Sequence, residues 1–235
     1  MKITIKHILN KNLKPITDPK DPSIKLYPVY TQLILNRKNY QFKGLIKNYY
    51  TDLQYISNED SRLMAYEIEL LRSIIEFEIK LKGEIFDVSG LGGKYEKYRR
   101  SVVAEAERLL IGEIEALLRR GKSKFQDIFN YAYLPGKSGI LIEAVKALIP
   151  DLKNENDFRK CELAEFFWQE YTKTFPEKEK FYLVLPIVFN WFEGSHRQVM
   201  EKTLESKYND IKDLDMLLAY VENFDFMMKK QLGLI

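Results

Sequence analysis

The chain is poor in the side chains that cross-link a fold or hold a metal: its 235 residues include one cysteine and two histidines. A lone cysteine, Cys161, excludes an intrachain disulfide and fits a reducing compartment. His7 and His196 show no paired His/Cys spacing, so the sequence predicts no metal site and no cofactor. The same scarcity restricts any catalytic triad to these two histidines, and we interpret both as structural.

Long hydrophobic runs are also missing. The longest, Phe181–Phe192, spans 12 residues and contains Pro186 and Asn190, whereas a membrane-spanning helix needs about 20 apolar residues. We interpret this run as core. No apolar stretch of signal-peptide length follows Met1. The expected location is the cytoplasm, or a virion if the protein belongs to a viral assembly, and no membrane partner is expected.

Acidic residues are scarce in the first 50 positions. That stretch holds ten Lys/Arg but only Asp18 and Asp21, a net charge of +8. The remaining residues hold 27 basic and 32 acidic side chains, a net charge of −5. A basic segment joined to a mildly acidic body indicates that one end of the chain meets a polyanion while the rest has another role.

The basic segment alternates with the period of two that is typical of strands. In its first strand the apolar residues point to one side and the polar ones to the other: Ile3 and Ile5 against Lys2, Thr4 and Lys6. Two further runs, Tyr27–Leu35 and Tyr40–Ile46, flank residues 36–39, which predicts a hairpin with a four-residue polar tip. We expect a small antiparallel sheet of about three strands, which needs a helix on one face to be stable.

A long helix follows the sheet. Ser57 and Asp60 form a capping signal, and Gly83 suits the position just after the last turn. The two apolar stripes between them mean that the helix is covered on two sides. From Lys94 onward the apolar period stays near 3.6, which predicts a helical remainder, and the glycine-rich stretch 87–93 is the expected linker.

The predicted fold class is therefore α+β, a small N-terminal antiparallel sheet packed on a long helix and followed by a mostly α-helical domain. The expected domains are residues 1–86 and 94–235. Helices are predicted in the second domain at residues 94–120, 124–133, 139–149, 157–174, 186–193, 196–208 and 210–231.

Several other patterns receive structural interpretations. Gly90–Lys94 and Gly136–Ser138 resemble phosphate loops but lack the first glycine of that motif, so we interpret them as turns. The carboxylates lie on helix faces and are expected to be solvated. The aromatic side chains of the helix 157–174 are expected to form core, with Cys161 among them.

The basic sheet is the strongest candidate for a binding site. Its cations alternate with aromatic side chains, and a sheet of two or three strands can enter the major groove of DNA. Arg37 and Lys38 at the hairpin tip would then reach phosphates or guanine edges. The alternative is a lysine face that only keeps the protein soluble. The residues predicted to bind DNA are Lys2, Lys6, Arg37, Lys38, Lys43, Lys47 and Tyr40.

The order of these elements resembles a known family. The chain begins with a lysine-rich strand at residues 2–9 and a polar loop, followed by the run Tyr27–Phe42, a long helix and Lys82–Phe86. This order is similar to the arm-type DNA-binding domain at the start of many tyrosine recombinases, the integrases of phages and mobile elements. The resemblance covers residues 1–86. It implies a three-stranded sheet that inserts into the major groove.

The rest of the chain departs from that family. A recombinase needs a catalytic arginine, a His-x-x-Arg unit and a late nucleophilic tyrosine. Here Arg197 follows His196 directly, and Met200 stands in the following turn. We therefore expect no enzymatic activity and assign no catalytic residue.

The leading hypothesis is a non-enzymatic DNA-binding accessory protein of a phage or mobile element, with the basic sheet on DNA and the helical domain serving oligomerisation or partner recruitment. The alternative is a structural subunit of a large assembly, such as a ring or connector protein of a tailed-phage virion. In that case the basic face lines a DNA channel or pairs with an acidic neighbour. Both hypotheses expect a homo-oligomer or a larger assembly.

Overall fold

Three antiparallel strands form the main N-terminal sheet. In the computed structural model, β1 (Ile3–Leu9), β3 (Lys25–Leu35) and β4 (Lys38–Lys43) pair through the central β3, and the two-residue strands β2 (Ile16–Thr17) and β5 (Tyr49–Tyr50) pair with the first residues of β3. The structure describes residues 3–35, 37–83, 86, 88–120, 142–143, 156–181, 183–194, 196–207 and 211–235.

The β3–β4 hairpin is tighter than the sequence predicted. Leu35 pairs with Lys38, so two residues form the tip instead of four, and β4 ends at Lys43. Arg37 adopts a left-handed backbone conformation, with a φ of 67°, which is the region that two-residue hairpin turns use. The tighter turn extends the ladder between the two strands toward the tip.

Helix α1 (Asn58–Lys82) lies on one face of this sheet. Ser57 caps it as predicted, since its Oγ accepts the backbone N–H of Asp60 at 3.1 Å. Gly83 ends the helix with a φ of 57°, and its N–H donates to the carbonyl of Ile79. The polar stripe of α1, formed by Glu69, Arg72, Glu76 and Lys80, is exposed. Five apolar residues of the helix are buried: Leu63, Leu70, Leu71, Ile74 and Ile75.

The chain divides into two compact units, residues 1–97 and residues 98–235. Helix α2 (Leu91–Tyr98) begins within the stretch expected to be a linker, and all of it but Tyr98 belongs to the first unit. The physical reason is that side chains of α2 bond to carboxylates of α1, as described below. The periodic stretch 94–120 is accordingly two helices, α2 and α3 (Val102–Arg120), rather than one.

The second unit is mostly helical. Helix α4 (Asn156–Thr174) packs on both α3 and α7 (Ile211–Leu232). Between α4 and α7 in the chain, the described residues form a short hairpin, β6 (Lys178–Lys180) and β7 (Leu183–Leu185), and the helices α5 (Val188–Glu193) and α6 (His196–Lys207). The helices predicted at 124–133 and 139–149 lie outside the described residues, except that 142–143 are helical.

Aromatic side chains fill the core of the second unit. Trp168 of α4 packs edge-on against Phe224 of α7 at 4.8 Å between ring centroids, and its Nε1 donates to the hydroxyl of Tyr220 at 2.7 Å. Cys161 is also buried. The prediction that the aromatic side chains of this helix form core is confirmed for Phe158, Phe167, Trp168 and Tyr171, while Phe166 is half-buried. Among the helices of the described ranges, none combines the length and apolarity needed to cross a bilayer.

Candidate nucleic-acid interface

The pleat of the three-stranded sheet separates its side chains into two faces. Because directly paired residues share a face, the register assigns each position. The inner face, toward α1, carries His7, Val29, Thr31, Leu33 and Leu35. The outer face carries Thr4, Lys6 and Ile8 of β1, Tyr30, Gln32 and Ile34 of β3, and Asn39, Gln41 and Lys43 of β4.

The outer face contains no carboxylate. Two of its nine side chains are lysines, three are carboxamides, and the rest are Thr, Tyr and Ile. Lys6 and Lys43 stand on the two edge strands, and both are exposed. This face is therefore positively charged, rich in hydrogen-bond donors, and flanked by cations on both sides.

The structure brings together some of the predicted site residues and separates others. Lys6 and Lys43 share the outer face. Arg37 and Lys38 are exposed at the hairpin tip, although Lys38 pairs with Leu35 and so belongs to the inner-face register. Tyr40 is half-buried on the inner face, in register with Leu33.

Lys47 is exposed beyond the end of β4, in the segment before β5. Lys2 lies outside the described residues. The described members of the predicted set are thus spread over both faces of the sheet, the hairpin tip and a neighbouring loop.

A buried carboxylate fixes the inner face to α1. Glu67 is fully buried and accepts four hydrogen bonds at its two oxygens. Oε2 accepts from Thr31 Oγ1 at 3.0 Å and from His7 Nε2 at 2.7 Å, and Oε1 accepts from Tyr95 Oη and the backbone N–H of Leu45, both at 2.8 Å. Strand β1, strand β3, the segment after β4 and helix α2 therefore all meet at one side chain of α1.

The pKa of Glu67 lies below its usual value. Burial by itself would raise it, but the hydrogen bonds from His7 and Tyr95, the charge attraction of His7 and the bond from the Leu45 N–H together outweigh burial. The carboxylate is therefore ionised at neutral pH. Since an ionised carboxylate can only accept, His7 donates through Nε2–H.

Gly44 makes this cluster sterically possible. A Cβ at this position would lie 2.4 Å from Glu67 Oε2 and 2.5 Å from Thr31 Oγ1. The backbone after β4 can approach the carboxylate only because residue 44 has no side chain. The glycine thus brings the Leu45 N–H within hydrogen-bond distance.

Two more carboxylates of α1 are buried. Glu78 binds the Lys94 ammonium at 2.7 Å and 3.0 Å, with Lys82 at 3.7 Å. Asp60 accepts from Asn48 Nδ2 at 2.8 Å and from the Tyr50 hydroxyl. The expectation that the carboxylates are all solvated was wrong for these side chains and for Glu67.

The sequence did contain a signal that Glu67 and Glu78 are buried. Glu67 lies four residues after Leu63, and Glu78 lies four residues after Ile74, so both fall on apolar stripes of α1. An acid within an apolar stripe predicts a buried, partnered carboxylate.

The other candidate sites have structural roles in the described residues. Lys94 of the first glycine-rich segment is bound to Glu78, and Gly92 and Gly93 are helical. The second segment, 136–138, lies outside the described residues. His196 Nδ1 is 2.9 Å from the Tyr171 hydroxyl, and its ring stacks on Phe175. Within the described ranges, no group of three or more His, Cys, Asp or Glu residues could hold a metal ion.

The carboxamides of the outer face were not among the predicted site residues. Gln32, Asn39 and Gln41 occupy the polar phase of the period-two pattern, which was the signal available for them. The charge pattern does not reveal these residues, because a carboxamide adds hydrogen-bonding capacity without changing the net charge.

No protein-family model, curated protein or solved structure matches this chain.

Proposed function

We propose that the N-terminal unit binds duplex DNA through the outer face of its sheet, and that the protein is a non-enzymatic accessory protein of a phage or mobile element. The observation that carries the proposal is the composition of that face. It combines two exposed lysines and three carboxamides with no carboxylate. A polyanion with hydrogen-bonding base edges is the ligand that such a face suits.

The dimensions of the sheet support this proposal. Three strands spaced about 4.8 Å apart span roughly 10 Å between their outer axes, and the major groove of B-DNA is about 12 Å wide. With the outer face in the groove, the exposed Lys6 and Lys43 on the edge strands would face the two phosphate backbones. Arg37 and Lys38 would extend along the groove from the hairpin tip.

The buried acids support it as well. Asp60, Glu67 and Glu78 lie inside the first unit, where they are bonded to donors of the same unit. All three are side chains of α1, which lies against the inner face, and the charge of Glu78 is balanced by the Lys94 ammonium. This arrangement preserves the positive potential of the outer face.

The test is a salt-titrated binding curve of the full chain with a fluorescent duplex. Neutralisation of about five phosphates predicts a slope of log K against log salt near −4 to −5. Lys6→Glu with Lys43→Glu, and separately Arg37→Glu with Lys38→Glu, should each weaken binding at least about tenfold and flatten the slope by about 2. Arg72→Glu with Lys80→Glu, two exposed cations on the polar stripe of α1, reverses the same number of charges. It is the matched control and should have a smaller effect. Binding that is unchanged in both double variants would reject the proposal.

A structural subunit of a large assembly is the second candidate. A groove in the second unit favours it: a cavity of about 510 Å³ lies between α3, α4 and α7, lined by Ala116, Leu117, Met216 and Ala219 among others. On the same helix α7, Phe226 is 52% exposed. Measurement of mass in solution separates the candidates, because a ring of many copies supports the assembly and a dimer or other small oligomer supports the accessory protein.

A further inference from the structure

The outer face of the sheet consists of three cross-strand rows. Each row has one residue from β1, one from the central β3 and one from β4, placed directly opposite one another. The rows are Thr4–Ile34–Asn39, Lys6–Gln32–Gln41 and Ile8–Tyr30–Lys43. Gln32 thus occupies the centre of the face, Asn39 and Gln41 lie next to it on β4, and aliphatic groups lie in the neighbouring rows.

The central carboxamide is held in position by its neighbour. Gln32 Nε2 donates to Asn39 Oδ1 at 2.9 Å, and Gln32 is only 9% exposed. This bond uses one of the two N–H groups of Gln32, so a second N–H and Oε1 remain for a ligand. Gln41 stands directly opposite Gln32 on β4 and is exposed. A fixed carboxamide loses less entropy when it binds than one that must first be ordered.

A carboxamide is complementary to one base edge in the major groove. Adenine offers an acceptor at N7 beside a donor at N6, which matches the donor and acceptor of Gln or Asn. Guanine offers two acceptors and is read by Arg or Lys, while cytosine offers a donor and is read by Asp or Glu. The outer face has no arginine and no carboxylate, and neither of its lysines stands on the central strand β3, where Gln32 lies.

The remaining side chains of the face fit the partner of adenine. The C5-methyl group of thymine is recognised by apolar contact, and Ile8, Ile34 and the methyl group of Thr4 supply apolar surface around the carboxamides. Side chains at directly opposed positions lie roughly 5 Å apart at Cβ. Gln32 and Gln41 can therefore reach neighbouring base pairs, which stack at about 3.4 Å.

We propose that the outer face reads consecutive A·T base pairs in the major groove, with Gln32 and Gln41 on adenine edges and the aliphatic side chains on thymine methyl groups. Lys6 and Lys43 contact the flanking phosphates. The inference rests on the proposed binding of duplex DNA and adds the class of sequence that is bound.

The first experiment selects duplexes from a pool with about 12 randomised base pairs, using the full chain at physiological salt. Enrichment of consecutive A·T pairs is the expected result. Gln41→Ala should reduce the preference for A·T over G·C pairs about fivefold or more, and Gln41→Arg should move one position toward G·C. Gln54→Ala, an exposed glutamine outside the sheet, is the control and should select the same sequences as the unchanged protein.

The second experiment tests the groove directly with modified bases. Replacing adenine by 7-deazaadenine in a selected duplex removes the N7 acceptor and should weaken binding of the unchanged protein about fivefold or more. The same replacement should not weaken binding of the double variant Gln32→Ala with Gln41→Ala. Replacing thymine by uracil removes the methyl group and should also weaken binding. An A·T preference that survives both replacements would mean readout of groove shape and would overturn the inference.

The two proposals fail in different ways. Salt-sensitive DNA binding with no base preference overturns the A·T inference and leaves the binding function in place. Absence of DNA binding in the unmodified protein overturns both.

Discussion

His7 Nε2 lies 2.7 Å from Glu67 Oε2, although 60 residues separate the two in the chain. Both side chains are almost completely buried. Their contact joins the edge strand β1 to the middle of helix α1. A sheet this small cannot bury enough apolar surface to be stable alone, so a polar contact of this kind also specifies which face of the sheet the helix covers.

The space around Glu67 predicts that Gly44→Ala is destabilising. The added Cβ would lie within 2.6 Å of three oxygen atoms of Glu67 and Thr31, so the carboxylate cluster must shift. We expect the free energy of unfolding to fall by about 2 kcal/mol, measured by urea denaturation followed by circular dichroism. Gly93→Ala is the matched control. Its Cβ would meet nothing within 4 Å, so it should be neutral or slightly stabilising because alanine favours helix α2. Equal effects of the two substitutions would contradict this account.

The low pKa of Glu67 predicts a pH-dependent stability. A carboxylate whose pKa is lower in the folded than in the unfolded protein stabilises the fold above its ordinary value of 4.5. That stability is lost as the pH falls through the folded pKa. Glu67→Gln should therefore lower the free energy of unfolding by about 3 kcal/mol at pH 7, because the donors around Glu67 lose an ionised acceptor.

The difference in unfolding free energy between Glu67→Gln and the unchanged protein should then narrow as the pH falls below 4.5. Urea denaturation at several pH values between 7 and 3 measures it. A difference that stays constant over this range would show that ionisation of Glu67 contributes nothing.

The buried pair of Glu78 and Lys94 predicts that removing one partner destabilises the fold more than removing both. Lys94→Met takes from a buried carboxylate an ammonium group at 2.7 Å, while the Lys82 ammonium is more distant at 3.7 Å, and it should lower the free energy of unfolding by about 2 kcal/mol. Glu78→Met together with Lys94→Met should recover a large part of that loss. The nearby Lys94 ammonium, more than burial, holds the pKa of Lys82 below its usual value, so that pKa should rise in Lys94→Met. NMR titration of the lysine side chains measures the rise, and a double variant as unstable as Lys94→Met would refute the argument.

The hydrogen bond from Trp168 predicts a role for the hydroxyl of Tyr220. Tyr220→Phe keeps the ring but leaves the buried Trp168 N–H without its acceptor, which should cost about 1–2 kcal/mol. Denaturation followed by tryptophan fluorescence suits this test, because Trp168 and Trp191 are the two tryptophans of the chain and both are buried in the second unit. Tyr55→Phe, at a position 68% exposed, is the control and should change nothing. A full effect in the control would point to a general cost of losing a hydroxyl.

The architecture could be predicted from the sequence because apolar periodicity dominates it. The alternation in Ile3–Leu9 gave the two faces of β1, and Ser57 and Gly83 gave both ends of α1. The turn between β3 and β4 was misjudged, since the choice between a two-residue and a four-residue tip depends on how far the cross-strand ladder continues. That extent is a property of the paired strands, and neither strand shows it alone.

The position of α2 could not be predicted for a related reason. A glycine-rich stretch before Lys94 is typical of a linker, and local propensity therefore favoured a boundary there. Two long-range polar contacts override it: Tyr95 with Glu67 and Lys94 with Glu78. Contacts over 16 and 28 residues leave no periodic trace in the sequence.

The candidate site was predictable in its charge and unpredictable in its geometry. Composition places cations in the first 50 residues but does not say which of them share a face. Register does, and it separates Tyr40 from Lys6 and Lys43. A shift of one residue in the register of β4 against β3 would have placed Tyr40 on the outer face and Lys43 on the inner face.

Arg37 holds a positive φ that costs a non-glycine residue about 1 kcal/mol. Glycine at this position would relax the hairpin, so Arg37→Gly should make the first unit slightly harder to unfold while removing a cation from its most protruding point. Selection of variants for thermal resistance alone would then favour loss of the guanidinium. Under the proposed DNA binding, selection for affinity to DNA would retain it. At the tip of this hairpin, the stability of the fold and the proposed affinity for DNA therefore favour different residues at position 37.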